Sequence, residues 1–134
     1  MQTATVRWLG AEKFQALTPS GHEVLFDADR QSNSAPGPME MLLAALGACT
    51  SVDVALILRK KRQPLRSLEV RVSGERATEP PAVWTSIEMV YLLEGPLDDK
   101  AVRDAIELSQ KKYCSVAAML GKTARIAYRY ETRG

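Results

Sequence analysis

The chain has 134 residues, 46% apolar and 25% charged, the proportions of an ordinary soluble globular protein long enough to bury one sizeable core. Its formal charge of +2 is too small to argue for a nucleic-acid partner. The N-terminus has no apolar h-region, the apolar stretch Met39 to Cys49 is too short to span a bilayer, and Asp53 interrupts its continuation, so the sequence predicts a single cytoplasmic domain over residues 1–134 with no membrane contact.

The first third reads as strands. Thr3 to Trp8 alternates, and Lys13 to Leu17 and His22 to Phe26 flank Thr18-Pro19-Ser20-Gly21, which carries Pro and Gly where a tight hairpin turn needs them. Asp27 to Gly37 is a polar loop. A helix starts at Pro38, where a missing N–H costs nothing, and Glu40 puts an acid in its first turn. From Met39 to Leu58 this helix is apolar on almost every face, so it must be covered on all sides, by sheet and by a second subunit. The basic run Arg59-Lys60-Lys61-Arg62 opposes the dipole at its end, and Pro64 closes the region. Leu68, Val70 and Val72 alternate with polar residues as a half-buried strand, and Val83 to Leu93 forms another. A second helix begins at Leu97-Asp98-Asp99. Its inner stripe is Val102, Ala105, Ile106, Ser109, Tyr113, Val116 and Leu120, with Gly121 as C-cap. Thr123 to Tyr130 is the last strand, with Ile126, Tyr128 and Tyr130 on one face. The order βββ-α-ββ-α-β is an α+β layout with helices on mainly antiparallel sheet.

The chemistry-bearing residues are few. His22, beside a turn, is the single histidine and supplies no metal cluster. Nucleophile elbow, phosphate-cradling loop and dinucleotide fingerprint are all missing. That leaves Cys49 and Cys114, whose wide separation excludes a CxxC motif or zinc ribbon. Taken alone, each reads first as a small buried hydrophobe and second as a nucleophile. Small residues before Cys49 permit close approach, and Lys111-Lys112 before Cys114 would lower its thiol pKa. In the cytoplasm two cysteines rest reduced, and a disulfide between them is catalytic or transient. A paired peroxidatic and resolving cysteine would need no metal or organic cofactor.

Pro38 to Val54, reading Pro-Met-Glu-Met-Leu-Leu-Ala-Ala-Leu-Gly-Ala-Cys-Thr-Ser-Val-Asp-Val, resembles the signature helix of the OsmC family of osmotically induced and organic hydroperoxide resistance proteins. Lys112-Tyr113-Cys114-Ser115-Val116 is similar to that family's second cysteine motif, and the likeness runs along the whole chain. It implies an intertwined homodimer around a long buried central helix. It also implies that Cys49 is the peroxidatic cysteine, Cys114 the resolving one and Glu40 a further catalytic candidate. The substrate would be an organic hydroperoxide and the reductant a dithiol such as a lipoylated protein. The family's peroxidases carry Glu directly after the signature proline and an Arg from an early loop. Here the acid is one place later, at Glu40, and Arg7 and Arg30 are the nearest arginines. Glu40 lies roughly 13 Å along an ideal helix from Cys49 and about 180° around it, so the two cannot touch within one straight helix. Asp53 stands one turn after Cys49, where it reads as a buried acid paired with an Arg or backbone group.

Three readings follow. The first is a thiol-dependent peroxidase acting in oxidative or osmotic stress. The second is a non-catalytic OsmC-like protein that binds a small hydrophobic ligand at the dimer interface, its cysteines redox-sensing or inert. The third is a purely structural stress protein without thiol reactivity.

Overall fold

Alternating Thr, Val, Phe and Leu residues give the first three strands their sheet-forming faces in the computed structural model, which describes residues 1–134. Strands β1 (Thr5–Gly10), β2 (Lys13–Leu17) and β3 (Glu23–Asp27) form an antiparallel sheet in that order. The predicted turn closes between Thr18 and His22, with the Thr18 amide donating to the His22 carbonyl at 2.8 Å and Gly21 at φ +90°. The loop that follows is organised by Asp27. Its fully buried carboxylate accepts from the Ser32 and Ser34 hydroxyls and from the Ser34 and Asp29 amides. Those donors, Ser32 foremost, hold its pKa well below the usual carboxylate range. Arg30 ties the loop together by donating to the Asp27 and Ala35 carbonyls and to the Asn33 side chain.

By their internal contacts the residues fall into two compact units, Met1–Leu42 and Leu43–Gly134. Helix α1 (Pro38–Lys60) starts in the first and continues through the second. Its 23 residues make it longer than the apolar run suggested, and by length and composition alone it is apolar enough to cross a bilayer. The polar contacts of its middle turns, described below, place that part in a protein core. Only one stripe is covered by this chain: Leu46, Thr50, Val54 and Leu58, one residue per turn, are fully buried. Each such Leu or Val contributes about 1.5–3 kcal/mol. The opposite stripe, Ala45, Ala48, Val52 and Leu56, is exposed, so this chain covers the helix on one side of the two the sequence calls for.

The second sheet has the order β4 (Ser67–Arg76), β5 (Trp84–Glu94), β6 (Arg125–Arg133). β4 and β5 are antiparallel, while β6 joins β5 in parallel. Ile87, Met89, Tyr91 and Leu93 point from β5 into the core, and Ile126, Tyr128 and Tyr130 pack beside them as their alternation predicts. Gly95, at φ +137°, makes the turn out of β5. A Cβ there would lie 2.3 Å from the Pro64 carbonyl oxygen, which only glycine avoids.

The predicted second helix is interrupted. α2 (Asp99–Leu108) is capped by Asp98, whose carboxylate accepts from the Ala101 amide at 3.0 Å. A π turn, Ser109–Tyr113, follows, and then a short helix α3 (Ser115–Leu120). The wide turn adds one residue and advances the phase of the inner stripe. Tyr113, expected inside, is therefore 50% exposed, and Cys114 takes the inward place at 3%. Cys114 has an extended backbone and caps α3, so it lies at a break between helices and not within one. Gly121 ends α3 in right-handed geometry, without the left-handed turn that glycine C-caps favour.

Candidate active site

Both cysteines are free, Cys49 half-buried on α1 and Cys114 buried at the start of α3. The fold brings the two thiols close enough for Cys49 to influence the ionisation of Cys114. Burial is the main reason the Cys114 thiol is pushed up to about 11, and the neighbouring Cys49 thiol and the nearby Asp53 charge act in the same direction. The Ala117 amide, donating to Cys114 Sγ at 3.4 Å, opposes this only in part. The lysines expected to lower that pKa face solvent instead: Lys111 pairs with Glu107 at 2.9 Å, and Lys112 lies over the Tyr113 ring. The π turn is what carries them outward while turning Cys114 inward.

Around the sulfurs runs a set of polar side chains that the sequence did not single out. Thr50 Oγ1 is 2.6 Å from Tyr91 Oη and 2.7 Å from Ser109 Oγ. Ser109 donates to Asp53 at 2.9 Å, and Gln110 donates to Tyr91 at 2.6 Å. Asp53 is thus half-buried and paired with a serine hydroxyl, not with the Arg or backbone group expected of it. The available signal was Ser109, a polar residue on an otherwise apolar helical stripe. Burial raises the Tyr91 hydroxyl pKa, which keeps the phenol protonated.

Glu40 is exposed in the first turn of α1, where its carboxylate faces Arg30 at 3.8 Å. Both side chains are about half exposed, and such pairs contribute about 0–1 kcal/mol. Arg7 lies exposed on β1, and His22 is exposed in the hairpin turn.

Taken together, these features define a dithiol protein: a long central helix on an α+β frame, with one cysteine on the helix and a second delivered by a broken one. Residues 31–129 match the OsmC family, described as OsmC-like protein, and the chain belongs to that family. It is 42% identical over 129 residues, 96% of each chain, to Protein YhfA of Escherichia coli K12. Among solved structures, the OsmC-like protein of Mycoplasma pneumoniae superposes with a TM-score of 0.87 at 18% identity, covering 100% of this chain and 98% of that one. The organic hydroperoxide resistance protein OhrB of Bacillus subtilis superposes with a TM-score of 0.65 at 12% identity, covering 98% of each.

Proposed function

We propose that this chain is a cysteine-based peroxidase of organic hydroperoxides, working as a homodimer in the cytoplasm in oxidative or osmotic stress. The observation that carries this reading is that two free thiols from separate elements are brought near enough to affect one another. Cys49, as thiolate, attacks a peroxide oxygen. The O–O bond breaks, an alcohol leaves after taking a proton, and Cys49 becomes a sulfenic acid. Cys114 then displaces the hydroxyl to close a disulfide, and its own proton makes the leaving group water. A raised Cys114 pKa suits that order, because the resolving sulfur stays a thiol until the sulfenic acid needs the proton. A dithiol reductant, such as a lipoylated protein, returns both cysteines to thiols. The hydroperoxide resistance in the name of the Bacillus neighbour supports the same class of reaction. Glu40 and Arg30 serve in this reading to fix the loop that enters α1.

The homodimer rests on the uncovered stripe Ala45, Ala48, Val52 and Leu56 and on the groove beside it, formed by Leu43, Gly47, Val70 and Val72. A helix apolar on both sides is paired on both sides. Val52→Asp is expected to turn a dimer into a monomer in sedimentation experiments, and a wild type already monomeric would contradict the pairing.

The reaction is tested by following cumene hydroperoxide and hydrogen peroxide in the presence of a dithiol. Rapid loss of the organic peroxide, faster than of hydrogen peroxide, is the expected result. A second reading, a non-catalytic binder of a small hydrophobic molecule at that interface, draws on the same groove and on the burial of Cys114. It gains if neither peroxide is consumed.

A further inference from the structure

The chain of hydroxyls beside the cysteines takes no part in the steps above, yet its geometry is directional. Each hydroxyl has one proton to give. Ser109 gives its proton to Asp53, so in its 2.7 Å contact with Thr50 it accepts. Thr50, having donated to Ser109, accepts from Tyr91 at 2.6 Å, and Tyr91 in turn accepts from the Gln110 amide. The sequence Gln110, Tyr91, Thr50, Ser109, Asp53 is therefore a one-way line of donors that ends on a carboxylate. Thr50 and Ser109 are fully buried, and no buried side-chain polar atom is left without a partner.

Two members are tied to the cysteines. Thr50 directly follows Cys49 on α1, and the Ser109 carbonyl receives the Cys114 amide at 2.8 Å across the π turn. The Thr50–Ser109 bond thus joins the two backbones that carry the sulfurs. A π turn is a rarely populated backbone geometry, so a side-chain anchor at its first residue has something to hold in place.

We propose that Thr50 and Ser109 are positioning residues for the closing of the Cys49–Cys114 disulfide, keeping the two sulfurs in register so that closure needs no rearrangement of residues 109–113. For its place in turnover the inference rests on the peroxidase reading. In that setting the Cys114 sulfur attacks the Cys49 sulfur and an S–S bond forms as the S–O bond breaks. Cys114 is oxidised, the sulfenic sulfur is reduced, and the hydroxide leaves as water with the Cys114 proton.

The closing step can be measured without peroxide. Cys49 is loaded with thionitrobenzoate by less than one equivalent of Ellman's reagent, and release of thionitrobenzoate by Cys114 is followed. Thr50→Val, which keeps the volume and loses the hydroxyl, is expected to slow release about tenfold or more, and Ser109→Ala to do the same. Thr50→Ser, which keeps the hydroxyl, is expected to stay within about threefold of wild type. A purely structural role predicts instead that release rates follow the loss of melting temperature across the variants, because Thr50→Val strands the buried Tyr91 and Ser109 hydroxyls and Thr50→Ser leaves a void. Release by Thr50→Val at the wild-type rate, or Thr50→Ser slower than Thr50→Val, overturns the proposal. If Thr50→Val does not fold, Ser109→Ala decides in the same way. A wild type that never releases thionitrobenzoate also overturns it. If Thr50→Val and Ser109→Ala slow release while wild type consumes no hydroperoxide, the positioning role stands and the peroxidase reading falls, so the two failures are distinct.

Discussion

Replacing Cys49 by serine is expected to lower hydroperoxide turnover by at least about a thousandfold, the scale on which loss of a nucleophile acts. The change exchanges one atom for a slightly smaller one on a half-buried helical position, so the fold has little reason to respond. The chemistry responds fully, because a serine hydroxyl does not ionise near neutral pH and its oxygen cannot be oxidised by a peroxide. Steady-state loss of cumene hydroperoxide with excess dithiol reads the effect, and thermal unfolding shows that the variant is folded. Retention of a tenth or more of the wild-type rate would remove Cys49 from the reaction.

Cys114→Ser separates the two steps. The first is expected to proceed, leaving a Cys49 sulfenic acid that dimedone traps and that wild type does not accumulate. Turnover with a dithiol reductant then falls about tenfold or more, because the partner sulfur is gone. The same residue also predicts a pH effect on stability. Burial and the neighbouring Cys49 and Asp53 raise the Cys114 pKa from 9.0 to about 11. The folded chain therefore binds that proton more tightly than the unfolded chain does. Its contribution is complete below about pH 9 and is lost as pH rises through about 11. Melting temperatures across that window should fall more steeply for wild type than for Cys114→Ser. Parallel curves would mean that Cys114 is not the group that titrates.

Much of the architecture was legible because its signals are local. Strand patterning marked β1, β2, β3 and β5 to within two residues, while β4 and β6 run further than expected; Pro38 marked the start of α1 and Asp98 the start of α2. What escaped depends on contacts between distant residues. The π turn has no periodic signature of its own. It arises where Ser109 and Gln110 bond to Thr50, Asp53 and Tyr91, all far away in sequence. Missing it misplaced Tyr113 and put Cys114 inside a helix when it caps one. The parallel pairing of β6 with β5 was likewise invisible to a pattern that reports faces but not neighbours. In the site, both cysteines were identifiable by elimination. The reason Cys114 holds its proton was not, since it comes first from burial and then from Cys49 and Asp53 on another helix.

The central claim, a redox pair made of Cys49 and Cys114, is tested most directly by mass spectrometry. Reduced wild type is treated with one equivalent of cumene hydroperoxide, capped with an alkylating agent and digested. The account predicts a single linked peptide pair joining Cys49 to Cys114, with neither cysteine alkylated. Recovery of both cysteines in alkylated form, or of Cys49 as sulfinic acid beside an alkylated Cys114, would contradict it.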